Sequence, residues 1–116
     1  MTTSSLLQKW ATHVCKKDII SILELYHVNF YIKPTLYDYV INGDKNELQK
    51  YFNHFIGKND ITSIEFTGTY TQTYGYLIMD MGNYRFKTKN NKYFDANYTF
   101  IHDNESIFIH HSSHFN

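Results

Sequence analysis

Four of the seven histidines, His102, His110, His111 and His114, fall within the last fifteen residues of the chain. Imidazole is the side chain that exchanges protons near neutral pH and the commonest metal ligand, so the clustering raises both chemistries. If the segment is a strand, adjacent residues point to opposite faces and His110 and His111 cannot chelate one ion together. One face then carries Ile107, Ile109, His111 and Ser113, and the other Phe108, His110, Ser112 and His114. If Ile107 and Ile109 face the core, alternation carries His111 and Ser113 inward too, as the polar floor of an otherwise apolar pocket. No carboxylate or thiolate close in sequence completes a metal shell, so the expectation is a site with no metal and no cofactor. A plain structural role, His and Ser bonded to their neighbours, has equal standing on the sequence alone.

Other residues able to do chemistry are scattered. Tyr51 lies on the apolar stripe Leu48, Tyr51, Phe52, Phe55 and Ile56, where its ring fills the core and its hydroxyl turns to a nearby acceptor or reaches a cavity. Thr35 follows Pro34 in a turn. Asp80 and Asp95 stand in the strand-rich half, and neither spacing selects one as a base. Arg85, the only arginine, alternates outward if Tyr84 and Phe86 face in, which suits a surface ion pair. Trp10 is an anchor for the core or an interface.

The elements that must position these groups follow from hydrophobic period. Leu6, Leu7, Trp10 and Val14 recur at helical spacing from Ser5, and Asp18 restarts the pattern through Ile19, Ile20, Leu23 and Tyr26, giving one long bent helix or two short ones. Asp44 with Glu47 opens another helix in the manner of a capping box, and Gly57 is a plausible stop. Beyond Asn59 the sequence turns β-branched and aromatic, with turn signals at Gly75, Gly82, Asn90–Asn91 and Asp103–Asn104, which predicts four or five antiparallel strands. The arrangement is α+β, a curved antiparallel sheet wrapped over N-terminal helices with one mouth open. The last residues after Ser113 are expected to fray.

Composition limits the partners. A chain of 116 residues is one domain, 1–116, and its 11 Lys plus Arg against 11 Asp plus Glu leave no general field for nucleic acid or an anionic membrane. The first residues lack the basic start and apolar run of a secretory signal, no apolar run is long enough to span a bilayer, and one cysteine builds no internal disulfide. A cytoplasmic protein is expected, and its aromatic-rich outer sheet face suits a homo-oligomer.

Asn97-Tyr-Thr-Phe100 followed by Ile109-His-His-Ser-Ser113 resembles the closing strands of the family related to the association (hub) domain of calcium/calmodulin-dependent protein kinase II. Pro34-Thr-Leu36, Tyr51-Phe-Asn-His-Phe55 and Gly82-Asn-Tyr-Arg-Phe86 stand in the order that family has. The resemblance implies a cone-shaped domain of the nuclear-transport-factor-two-like and SnoaL-like type. The His-His-Ser-Ser ending is most similar to the branch containing iota-class carbonic anhydrases, which implies reversible hydration of carbon dioxide to bicarbonate, possible without metal. Carried over by position, the implied catalytic residues are Thr35, Tyr51, His111 and Ser113. Two alternatives stand beside that reading: a hub or small-ligand-binding module without turnover, and a SnoaL-like isomerase or cyclase using a buried Asp and His.

Overall fold

The computed structural model describes residues 4–35 and 37–114; of the residues after Ser113 expected to fray, His114 is paired in the last strand and the other two, like Leu36, lie outside the described residues. Helices α1 (Ser5–Cys15) and α2 (Ile19–Glu24) are followed by β1 (Tyr26–Lys33), the two-residue β2 (Ile41–Asn42) and α3 (Lys45–Asn59). Four strands complete the chain: β3 (Ile61–Tyr74), β4 (Leu77–Thr88), β5 (Tyr93–His102) and β6 (Ile107–His114). They form one sheet in the order β2-β1-β6-β5-β4-β3. The expected α+β class, a curved sheet over N-terminal helices, is what the chain adopts.

Two helices rather than one form at the start because Lys17 takes a left-handed φ of 60°, which no helix interior accommodates. Asp18 then caps α2 by accepting from the Ser21 amide at 3.2 Å. Asp44 accepts from the amides of Asn46 and Glu47 and starts α3 where expected. The stop is not Gly57. Helix α3 runs on to Asn59, and Asp60, with φ 47°, supplies the left-handed cap as its amide donates to Ile56 O.

Gly82 is likewise no turn; it lies inside β4. A Cβ there would sit 2.9 Å from Thr67 O and 3.1 Å from the Tyr98 hydroxyl, so glycine lets β3 and the Tyr98 ring close over β4. The sheet is not wholly antiparallel, because β1 pairs with β6 in parallel. That pairing needs a long crossover, and α3 with β3–β5 provides it.

The core lies between the three helices and the inner sheet face. Leu6, Leu7, Trp10 and Val14 of α1 and Leu48, Tyr51, Phe52, Phe55 and Ile56 of α3 are buried against Tyr84, Phe86, Ala96, Tyr98 and Phe100. The outer face is polar in part: Arg85 and Asp95 form the expected ion pair at 2.8 Å. Among the described residues no helix is long and apolar enough to cross a membrane.

Candidate functional site: a chain of buried hydrogen bonds

The last strand does not keep strict alternation. Ile101 pairs with Ile109 and His102 with Ile107, so Phe108 has no partner on β5 and forms a bulge. One extra residue inverts the faces beyond it. Ile107 is buried, yet Ile109 is 40% exposed, and His110 (3% exposed) and Ser112 (4%) turn inward. His111 is exposed and Ser113 half-buried on the opposite face. The expectation that His111 and Ser113 floor the pocket is therefore corrected by one residue, because the parity on which it rested breaks at Phe108.

The inward pair meets residues from four other elements. Trp10 Nε1–H on α1 donates to Tyr26 Oη at the start of β1, at 3.2 Å. Tyr26 Oη lies 2.8 Å from His110 Nδ1, and His110 Nε2 lies 3.4 Å from Tyr84 Oη on β4. Tyr84 Oη bonds Ser112 Oγ, and Ser112 Oγ bonds Thr35 Oγ1 in the segment after β1. Thr35 and Ser112 are 77 residues apart in sequence.

Donor and acceptor roles follow from Trp10. Indole N–H can only donate, so Tyr26 Oη accepts from it and spends its own proton on His110 Nδ1. His110 is then the neutral tautomer with its proton on Nε2, which donates to Tyr84; Tyr84 donates to Ser112, and Ser112 to Thr35. This assignment leaves every buried polar side-chain atom among the described residues with a partner. The Thr35 proton has two destinations. It can return to Tyr84, whose hydroxyl it reaches, closing a ring of three hydroxyls, or turn to an acceptor oxygen brought by a ligand. Thr35 is half-buried and is the outermost member.

Electrostatics agree with a neutral imidazole. His110 stacks on Phe100 at 3.9 Å and meets the edge of Trp10 at 5.6 Å. Burial among these rings, with a smaller contribution from His111, pulls its pKa down to about 3. Burial likewise pushes the Tyr84 and Tyr26 hydroxyls well above their ordinary value, and the nearby Tyr51 hydroxyl adds to both shifts. Of the four residues singled out in the sequence, the structure thus brings Thr35 and Tyr51 to one place and leaves His111 and Ser113 outside it. Tyr26 and Tyr84 were missed. Each reads in sequence as one more core aromatic, and nothing local marks its hydroxyl.

A second polar cluster lies deeper. Asp80 and His102 are fully buried, with His102 Nε2 at 2.6 Å from Asp80 Oδ2 and Thr71 Oγ1 donating to Asp80 Oδ1 at 2.6 Å. The Asn104 amide donates to His102 Nδ1 at 3.0 Å, so Nδ1 is the accepting nitrogen and the Nε2–H faces the carboxylate. Burial works to raise the Asp80 carboxyl, but bonds from His102, Thr71 and the α1 cap residue Ser4 outweigh it and hold the pKa below its usual value. A group with a lowered folded pKa gives stability above the unfolded value and loses it as pH falls through the folded one. Asp80 joins α1, β3, β4 and β5, and Asp80→Ala is expected to cost about 1–3 kcal/mol by leaving the buried His102 Nε2–H without its acceptor, as denaturant unfolding at neutral pH would measure. A cost within about 0.5 kcal/mol would place the cluster outside the stability of the fold. Among the described residues no three His, Cys, Asp or Glu side chains are placed to hold one metal ion.

No protein-family model matches the sequence, and no curated protein matches it. Solved structures do. A candidate calcium/calmodulin-dependent protein kinase II association domain from Xanthomonas campestris superposes with a TM-score of 0.81 at 22% identity, covering 96% of this chain and 84% of that one. A nuclear-transport-factor-two-like protein of unknown function from Pseudomonas putida gives 0.78 at 15% identity, covering 93% and 80%. A candidate SnoaL-like polyketide cyclase from Shewanella putrefaciens gives 0.63 at 16%, covering 92% and 75%. At these identities the likeness establishes the fold, which is nuclear-transport-factor-two-like, and leaves activity to the site.

Proposed function

We propose that the hydroxyl ring of Thr35, Tyr84 and Ser112, polarised through His110, is a site for a small oxyanion, and that the chain hydrates carbon dioxide reversibly to bicarbonate in the iota-class manner. The observation that carries this reading is the bond between Thr35 and Ser112. It joins the turn threonine and the C-terminal serine pair on which the sequence resemblance rests. The catalytic set therefore becomes Thr35, Tyr84 and Ser112, with His110 and Tyr51 as positioning residues and His111 and Ser113 set aside.

In the hydration direction, water adds its oxygen to the carbon of carbon dioxide, and negative charge grows on the two original oxygens. The Thr35 hydroxyl turned toward one of them stabilises that charge at the moment it forms, and Ser112, donating to Thr35, strengthens it as a donor. His110 does not take the water proton. Its Nδ1 is occupied by Tyr26, and its pKa of about 3 makes it a poor base. Its part is to donate through Nε2 to Tyr84, which strengthens Tyr84 as a donor along the ring. The proton leaves to solvent.

The expected result is measurable carbon dioxide hydration by the full chain after chelator treatment, reduced at least tenfold in Thr35→Val. Equal rates in the two proteins, or no rate above buffer in the wild type, would rule out the enzyme reading. A second reading has its own support in the weak basicity of His110: a module that binds a small oxyanion without turnover. Bicarbonate binding seen by carbon-13 NMR, lost in Thr35→Val, with no hydration would select it. The cyclase or isomerase reading draws on the Asp80–His102 pair, but Asp80 already accepts from three side chains, so a substrate proton would have to displace one of them.

We also propose that the chain associates with copies of itself. Tyr70, Tyr74, Met81 and Ile109 are exposed on the sheet strands, with Tyr70 and Met81 paired across β3 and β4, and apolar side chains gathered on one sheet suit an interface. Light scattering at micromolar concentration should return a multiple of 13.9 kDa; a monomer mass would exclude it.

A further inference from the structure

Distant from the hydroxyl ring in sequence, a depression of about 450 Å³ opens where the end of α3 meets the β4–β5 turn, and Lys58, Lys89 and Lys92 line it with Thr88, Tyr93 and Phe94. In a chain of zero net charge, three ammonium groups on one concavity are a local excess. None of the three makes an ion pair with a carboxylate among the described residues. The one acid in the lining, Asp60, is bound to Lys17 at 2.6 Å, so its charge is already matched.

The C-terminus of α3 would ordinarily oppose an anion here, since unpaired carbonyls carry the negative end of the helix dipole. That end is capped in part: Asp60 N–H donates to Ile56 O at 3.0 Å and Asn59 Nδ2 reaches back to Phe55 O at 2.8 Å, and three ammonium charges stand against what remains of the dipole. The walls are also fixed: Lys89 N–H donates to Asp60 O, Thr88 N–H donates to Lys92 O while Lys92 N–H donates to Thr88 Oγ1, and Asn91 takes a left-handed φ of 59° that turns the chain back. Three lysines are thereby held around one hollow by the backbone rather than scattered along a strand.

We infer that this depression binds a phosphate monoester, the phosphate lying among Lys58, Lys89 and Lys92 and the organic part against Tyr93. The ammonium is a flexible point charge suited to a phosphate dianion, the volume fits a ligand of mononucleotide size, and the exposed Tyr93 ring offers a flat apolar surface. A chain that is neutral overall offers no general field for a longer polyanion. This site does not depend on the reading of the hydroxyl ring.

The test uses the full nitrogen-15-labelled chain at low salt, titrated separately with inorganic phosphate and with adenosine 5′-monophosphate as the ring-bearing probe. Saturable shifts at the amides of Thr88, Lys89 and Asn90 are expected. The dissociation constant should rise by about tenfold or more in the Lys89→Gln, Lys92→Gln double variant, because two favourable charges are lost. Exposed Lys9 on α1 gives a control, Lys9→Gln, that should bind as the wild type does. Tighter binding of the nucleotide than of phosphate assigns the organic part to Tyr93. Equal binding removes Tyr93 from the site and overturns the monoester assignment. Shifts that do not saturate, or that persist undiminished in a double variant whose spectrum is otherwise folded, overturn the site itself.

Discussion

Ser112→Ala is expected to abolish oxyanion binding and turnover, whereas Ser113→Ala and His111→Ala, one residue away, leave both largely intact. Ser112 is the middle member of the ring: it accepts from Tyr84 and donates to Thr35. Alanine there removes both bonds and takes from the fully buried Tyr84 hydroxyl its Ser112 acceptor. The stability cost should be about 1–3 kcal/mol, the range for stranding one buried partner, which leaves the fold available for the activity measurement. The other two side chains lie on the far face of β6. Carbon dioxide hydration and bicarbonate binding measured on the three variants give the answer. Loss in Ser113→Ala with retention in Ser112→Ala would mean that the bulge at Phe108 does not set the register of the working protein.

The other large effect is in pH. An unfolded histidine titrates near about 6.5, and burial holds His110 in the folded chain at about 3. A lowered folded pKa means that the unfolded state binds the proton first. The stability His110 contributes is therefore complete above the unfolded value and drains as pH falls from there toward the folded one. Between those limits unfolding should become easier by about 1.4 kcal/mol for each pH unit from this residue alone. Denaturant titrations from about pH 7 to about pH 4.5 should show that slope in the wild type and lack it in His110→Gln, which keeps a polar side chain and cannot take the charge. Equal slopes in the two proteins would mean that His110 is not held neutral by its surroundings. Asp80 loses its own contribution only below about pH 4, the unfolded carboxyl value, so the two windows separate.

The sequence alone determined the α+β class and the positions of the helices. Helix positions follow from Leu6, Leu7, Trp10 and Val14 and from the α3 stripe, because burying one face of a helix demands that spacing whatever packs on it. Asp18 and Asp44 start α2 and α3 for a reason equally local, the unpaired amides of a first turn. The outward Arg85 paired with Asp95 follows from alternation along two regular strands. Thr35 and Tyr51 were also legible as candidates, although only by resemblance.

The tertiary structure decided the rest. Asp60, not Gly57, ends α3, because the helix keeps its hydrogen bonds until the chain turns left-handed. Gly82, which reads as a turn, serves the approach of β3 and Tyr98. Above all, the face of β6 was settled by a bulge, which is a mismatch between two strands and has no signature in either one. Alternation is a local rule; it fixes which residues share a face only up to the first unpaired residue. Phe108 lies between the buried Ile107 and the histidine pair, so the rule held on each side of it and failed across it. The hydroxyl ring depends on contacts between residues as far apart as Thr35 and Ser112, and His110 owes its neutrality to rings from α1 and β5. Hydrogen-bond direction and pKa are set by neighbours in space, and period and spacing in the chain carry no record of them.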